Sequence, residues 1–274
     1  MPWYENRSGH KLWYDDQGEG TPIILLHGWG VSSAIWRYQI EGLGDRCRVI
    51  TPDLRGHGNS KIVDAGYDFP AFADDLVDLV TALDLHKVLL VGWSMGAEVA
   101  TQAYSQIADR FCGLVLVSAT PCFIARDRFR YGLSAAELDG MRLKVRRGSR
   151  RALDGFYGRL FEEGELDAGC RDEIDRLLAG CATPDTPALL GALDALAGAD
   201  MRPLLPEITV PTLIVNGDCD RICLPQASRF LADSIPGSVQ REFNGCGHAP
   251  FLSRPGIFNA EIISFIERCR CGAT

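Results

Sequence analysis

The sequence predicts an α/β protein: a mostly parallel, doubly wound sheet interrupted by an inserted helical cap. Three observations carry this. Short, continuously apolar runs such as Ile23-Ile24-Leu25-Leu26, Val88-Leu89-Leu90-Val91, Leu114-Val115-Leu116-Val117 and Thr212-Leu213-Ile214-Val215 suit strands buried on both faces. Helical patterns alternate with these runs, as right-handed crossovers between parallel strands require. The alternation lapses between residues 122 and 206, where Arg, Leu, Ala and Glu dominate and no β-branched run occurs.

In chain order, residues 3–16 alternate aromatic and polar side chains around Ser8-Gly9, which predicts an antiparallel edge hairpin. Residues 23–26 are the first buried strand, opening into the glycine-bearing turn His27-Gly28-Trp29-Gly30. Ser32 or Ser33 can cap a helix through Trp36 and Ile40 to Leu43, and residues 48–51 return as a strand. The following loop, residues 52–60, is glycine-rich but lacks the lysine and spacing of a phosphate cradle. An amphipathic helix is expected over 69–85, with Asp74, Asp75 and Asp78 on a solvated face. The resulting division is a core of residues 1–121 and 207–274 with a cap at 122–206.

The apolar run at 88–91 ends in Gly92-Trp93-Ser94-Met95-Gly96, and a helical pattern begins immediately after it. A strand that becomes a helix at Ser94 forces that residue into strained angles, and glycines two positions away leave room for the turn. The hydroxyl then stands exposed beside a helix N-terminus, which favours developing negative charge. Such a nucleophile needs a base and an acid, in the order serine, acid, histidine. Asp220 follows the strand at 212–215 and His248 follows the strand near 239–243, both at carboxyl ends where a doubly wound sheet gathers its site. Asp218 is the rival acid. Asp220 is preferred because it lies further from the strand end, leaving Asp218 to stabilise the turn. The amides of Trp29 and Met95 are the expected oxyanion donors. His27 and His57 are read as structural, and Trp29 as a wall of the substrate pocket.

Composition limits the function classes. With 274 residues, 46% of them hydrophobic, the chain can bury a large core. A formal net charge of -8 argues against general nucleic-acid binding. No basic, apolar leader is recognisable at the amino terminus and no apolar run has the length of a membrane span, so a cytosolic protein is expected. The ten cysteines lack paired Cys-x-x-Cys spacing and are expected mostly as buried thiols. In the cap, Arg126, Arg128, Arg130, Arg142, Lys144, Arg146, Arg147, Arg150 and Arg151 precede a segment rich in Glu162, Glu163, Glu165, Asp167, Asp172, Glu173 and Asp175. Two readings stand for this polarity: salt bridges between cap helices, or a docking surface for an acidic partner.

Across nearly its full length the sequence resembles the α/β-hydrolase superfamily, through His27-Gly28-Trp29-Gly30, Gly92-Trp93-Ser94-Met95-Gly96, Asp220 and His248. Within it, Trp93, the stretch Ser118-Ala119-Thr120-Pro121-Cys122-Phe123 and His248-Ala249-Pro250-Phe251-Leu252-Ser253 look like the pimeloyl-[acyl-carrier protein] methyl ester esterases of biotin synthesis. That resemblance implies an α/β-hydrolase fold and a Ser94-His248-Asp220 carboxylesterase with no metal or cofactor. It also implies a partner, acyl carrier protein, docked on Arg147, Arg150 and Arg151, and a monomer with no nucleic-acid or membrane partner. The acyl chain would pass Trp29, Trp93, Met95 and the stretch Phe156, Tyr157, Gly158, Arg159 and Leu160. Gly155 departs from the family pattern, which suggests another arginine one turn after Arg151. A broad carboxylesterase, an enol-lactonase and a carbon-carbon bond hydrolase could use the same triad, and a ligand-binding module could retain the scaffold.

Overall fold

The computed structural model describes residues 3–61 and 66–271. Eight strands form one sheet: β1 (Trp3–Glu5), β2 (Lys11–Gln17), β3 (Thr21–Leu26), β4 (Cys47–Pro52), β5 (Val88–Trp93), β6 (Phe111–Val117), β7 (Thr212–Gly217) and β8 (Val239–Phe243). Their order is β1-β2-β4-β3-β5-β6-β7-β8. The hairpin strands β1 and β2 run antiparallel at one edge, and β4 through β8 pair in parallel. All six residues of β5 are buried, as are all six of β7, which explains their unbroken apolar runs.

Helices α1 (Arg37–Leu43), α2 (Phe69–Ala82) and α3 (Met95–Ile107) cross over between the early strands. Asp68 starts α2 by accepting from the Ala71 amide at 2.9 Å, with Pro70 in the first turn. Between β6 and β7 lie four helices, α4 (Ala135–Arg147), α5 (Ser149–Tyr157), α6 (Ala168–Gly180) and α7 (Thr186–Gly198). Ser134 and Glu137 form a reciprocal capping box at the start of α4. Helices α8 (Pro225–Ser234), α9 (Pro250–Ser253) and α10 (Pro255–Cys271) complete the fold. No helix among the described residues is long and apolar enough to cross a membrane.

The strand order positions the site. From β3 the chain moves outward to β4 and then returns past β3 to β5, so a crevice opens at the carboxyl ends of β3 and β5. The turn after β3 and the turn after β5 both face it.

One expectation is overturned. Asp75 does not lie on a solvated face: it is buried, and both its oxygens receive the Arg55 guanidinium at 2.6 Å. Asn6 donates to the same carboxylate at 2.6 Å, and Tyr4 donates to the Asp75 carbonyl at 3.0 Å. The polar face of α2 packs on the β1–β2 hairpin instead of water, and its neighbour Asp78 pairs with Arg7 at 2.8 Å.

Candidate active site

Ser94 joins β5 directly to α3 with φ 53° and ψ -122°, a conformation in the region L-residues avoid. The two flanking glycines are sterically required. A Cβ on Gly92 would lie 2.6 Å from Ala97 Cα, and one on Gly96 would lie 2.5 Å from the Leu26 carbonyl oxygen. That close approach seats the N-terminus of α3 against the turn after β3, and a Cβ on Gly28 would come within 3.3 Å of Ser94 Cβ. Ser94 is partly exposed, and its amide is held by the Val117 carbonyl at 2.9 Å. Met95 is the first residue of α3, so its amide is one of the four that no helical carbonyl satisfies. Gly28, the neighbour of Trp29, and Met95 therefore meet Ser94 from two separate turns.

Asp220 and His248 meet across two loops. His248 Nδ1 lies 2.8 Å from Asp220 Oδ2, and both side chains are fully buried. The other Asp220 oxygen accepts from the amides of Ile222 and Cys223 at 2.8 and 3.0 Å, which fixes the carboxylate's orientation. With Nδ1–H directed to Asp220, Nε2 carries the lone pair, and it has no hydrogen-bond partner among the described residues. Asp218 points elsewhere: its Oδ1 accepts from the Gly245 and Cys246 amides and ties the acid loop to the histidine loop.

The Ser94 hydroxyl and His248 Nε2 are not hydrogen-bonded to each other. Serine hydroxyls exchange readily among staggered rotamers, and nucleophile–base contacts in unliganded sites commonly tighten only with substrate. The imidazole itself is braced. Its backbone amide donates to the Leu160 carbonyl at 2.7 Å, and its carbonyl accepts from Trp93 Nε1 at 2.8 Å. The Trp93 and His248 rings lie 5.4 Å apart.

The helical segment between β6 and β7 closes over this chemistry. Trp29 Nε1 donates to the Leu189 carbonyl at 3.0 Å, its ring meets Phe156 edge-on at 5.2 Å, and Tyr157 donates to the Gly30 carbonyl at 2.7 Å. Trp29, Phe156 and Arg159 share a cleft with Met141, Lys144, Ala152 and Gly155. Its free volume is about 30 Å³, space for about one water. Trp93, Tyr157 and Leu160 are buried, and each also uses a polar group to hold a loop. Met95 is buried, and Gly158 is exposed at the end of α5.

The cap's basic stretch divides. Arg142 is committed to Asp139 and Asp194, and Arg150 to Asp154. Arg146, Arg147 and Arg151 are exposed, with no ion pair among the described residues. On the acidic side Glu162 pairs with Arg221 at 2.8 Å. Glu165 is buried, and its Oε2 accepts from the Gly247 amide at 2.8 Å, immediately before His248. In the sequence Glu165 belongs to the cap's acidic run, open both to salt bridges between cap helices and to a docking role. A buried acid inside a charge run carries no signal of its own, and only its position opposite the histidine loop reveals it.

His27 and His57 serve the loops. His27 Nδ1–H donates to the Gly28 carbonyl at 2.8 Å while its Nε2 accepts from the Leu54 amide at 3.0 Å, tying the β3 and β4 turns together. Burial pushes the His57 imidazole down to about 3, with neighbouring His27 adding to the effect. Nine cysteines in the described residues are free thiols, and the Cys219 amide, beside the acid in sequence, donates to the Cys246 carbonyl at 2.9 Å.

A model of the alpha/beta hydrolase family matches residues 23–261. The chain is 33% identical over 259 residues to a pimeloyl-[acyl-carrier protein] methyl ester esterase of Aeromonas hydrophila, covering 91% of this chain and 96% of that one. It is 31% identical over 284 residues to a non-heme chloroperoxidase of Kitasatospora aureofaciens, covering 98% of this chain and all of the other. Among solved structures, an esterase from Exiguobacterium antarcticum superposes with a TM-score of 0.90 at 28% identity, covering 97% and 98% of the two chains.

Proposed function

The chain belongs to the alpha/beta hydrolase family and is a hydrolase, and from that premise we propose that it is a serine carboxylesterase acting on the methyl ester of pimeloyl-acyl carrier protein. The observation that carries the chemistry is the buried 2.8 Å contact between His248 Nδ1 and Asp220, which leaves Nε2 unpartnered near a strained, accessible Ser94. Rotation of the Ser94 hydroxyl toward Nε2 completes the relay. Oγ attacks the ester carbonyl as Nε2 takes its proton, and the oxyanion accepts hydrogen bonds from the amides of Trp29 and Met95. The tetrahedral adduct collapses and expels the methoxide, which takes the proton from His248 and leaves as methanol, and an acyl-enzyme remains. Water then attacks that ester with Nε2 as base, and collapse returns the Ser94 hydroxyl and the free acid. Asp220 stays ionised throughout and stabilises the imidazolium.

The substrate assignment rests on the methyl ester esterases to which the chain is similar and on the exposed, unpaired Arg146, Arg147 and Arg151. In this reading residues 122–206 are a cap over a core of 1–121 and 207–274. Arg147 and Arg151 offer charge to an acidic carrier, Arg150 contributes less because Asp154 holds it, and the enzyme works in the cytosol as a monomer. Two observations favour a second reading, a broad short-chain esterase: Gly155 stands where the family pattern suggests an arginine, and the Trp29–Phe156 cleft is too narrow for an acyl chain until α5 shifts. The test compares kcat/KM for release of free pimeloyl-acyl carrier protein from its methyl ester with that for a short p-nitrophenyl ester. A much higher value on the carrier-bound ester supports the first reading, and cleavage of the small ester alone supports the second.

A further inference from the structure

The loop that carries His248 is held from two sides. Its first half belongs to the sheet: the Gly245 and Cys246 amides donate to Asp218 Oδ1 at 2.7 and 3.3 Å, and the Cys246 carbonyl accepts from the Cys219 amide at 2.9 Å. The next two amides are held by the residues that follow α5. The Gly247 amide donates to Glu165 Oε2 at 2.8 Å, and the His248 amide donates to the Leu160 carbonyl at 2.7 Å. On the sheet side the His248 backbone keeps one bond, from Trp93 Nε1 to its carbonyl. Two consecutive peptide groups, the second of them belonging to the base itself, therefore depend on one short stretch of the segment between β6 and β7.

The local geometry of that stretch presents the carboxylate to the loop. Glu165 Oε2 also accepts from the Glu162 amide at 2.7 Å while the Glu165 amide donates to the Glu162 carbonyl at 3.1 Å, so residues 162–165 close into a turn around the buried side chain. Arg254 donates to the Glu165 carbonyl at 3.2 Å from the far side of the histidine loop in sequence. Gly247 permits the close approach: a Cβ there would lie 2.6 Å from the Leu160 carbonyl oxygen and 3.0 Å from Phe161 Cα. An ion pair of 2.8 Å between Glu162 and Arg221 ties the same stretch to the residue after Asp220, but Arg221 is 74% exposed and such a pair contributes little. The buried Glu165 contact is the stronger attachment, because an amide that loses its acceptor away from water must find another or pay the full desolvation penalty.

We propose that Glu165 is a positioning residue for His248: together with the Leu160 carbonyl its carboxylate sets where the imidazole stands relative to Ser94, so the alignment of the base depends on the segment between β6 and β7 and not on the sheet alone. Glu165 touches no reacting atom and acts through the Gly247 backbone. Displacing a reacting group by about 1 Å can cost on the order of 10²-fold in rate. Loss of an alignment needed only in the transition state lowers kcat and kcat/KM together and leaves KM in place. This inference rests on the ester-hydrolase reading of Ser94 and His248.

The test measures hydrolysis of p-nitrophenyl acetate and the rate of fluorophosphonate labelling of Ser94 in the wild type, Glu165→Leu, Glu165→Gln and Gly247→Ala, with circular dichroism and thermal melting to identify folded protein. Glu165→Leu should lower kcat at least about tenfold while KM stays within about twofold, and labelling should slow in parallel. Glu165→Gln keeps a carbonyl acceptor for the two amides and should hold kcat within about threefold of the wild type. Gly247→Ala keeps Glu165 but forces the Leu160 carbonyl away, so it should lower kcat as Glu165→Leu does, and it serves in its place if the leucine variant does not fold. Wild-type kcat in a folded Glu165→Leu or Gly247→Ala protein, a glutamine variant as impaired as the leucine variant, or a raised KM with unchanged kcat would overturn the positioning role and leave the esterase reading intact. A wild-type protein that neither hydrolyses the ester nor labels would overturn the esterase reading on which the role rests.

Discussion

The buried imidazole of His57 gives the fold a calculable sensitivity to acid. In the unfolded chain it titrates near 6.5, and in the folded protein burial holds it down to about 3. The unfolded state therefore binds the proton more tightly. Its contribution to stability is fully present above about 6.5 and is lost as pH falls toward 3. The complete loss, below both values, is about 5 kcal/mol, and the share lost between pH 7 and pH 5 is about 2 kcal/mol. Because the ring is completely buried, solvent does not screen this cost. Other groups titrate in the same range, including His27, whose value burial also lowers. The assay is accordingly differential: urea unfolding of the wild type and of His57→Gln at pH 7 and pH 5. The variant loses the Nδ1 contact to the Arg55 carbonyl and will be less stable at pH 7. Its further loss on acidification should be smaller than the wild type's by about 2 kcal/mol, equivalent to roughly 4–8 °C in Tm. Equal losses in the two proteins would refute the reasoning.

Four other outcomes follow from the same structure. Asp220→Asn should lower kcat on the order of 10³–10⁴-fold, because the imidazole loses the acceptor that sets its tautomer; Asp218→Ala, assayed in parallel, should keep kcat within a few-fold and lose about 1 kcal/mol in urea unfolding. Asp75→Ala should cost about 3–5 kcal/mol in the same unfolding assay, since it strands the buried Arg55 guanidinium. Glu165→Leu removes the acceptor that holds the Gly247 amide, so steady-state kinetics should show kcat reduced at least about tenfold with Ser94 still present and the protein folded. Reversal of Arg147 and Arg151 to glutamate should raise KM for the carrier-bound ester in a salt-dependent way while leaving hydrolysis of a p-nitrophenyl ester unchanged.

Much of this arrangement was legible in the chain. The runs at 23–26, 88–91, 114–117 and 212–215 read as buried strands because parallel pairing buries both faces, and all four are strands of the sheet. Gly92 and Gly96 were legible for steric reasons that the close approaches to Ala97 and Leu26 make concrete. The preference for Asp220 over Asp218 used only distance from the strand end, and the 2.8 Å contact to His248 is made by Asp220. What escaped was whatever depends on a partner distant in sequence. Periodicity assigns Asp75 to the polar side of α2, but it carries no information that the hairpin and Arg55 occupy that side. Glu165 looks like an ordinary acid until the histidine loop is placed against it. The Leu160 carbonyl holds the His248 amide, and such backbone roles leave no trace in residue identity.

The central claim is that Ser94 is a nucleophile activated by His248, and intact-protein and peptide mass spectrometry after fluorophosphonate treatment tests it most directly. The account predicts one covalent adduct, located on the peptide containing Ser94, absent from Ser94→Ala and formed far more slowly in His248→Ala. An unmodified Ser94 in the folded wild-type protein, or an adduct that forms at the same rate without His248, would contradict it.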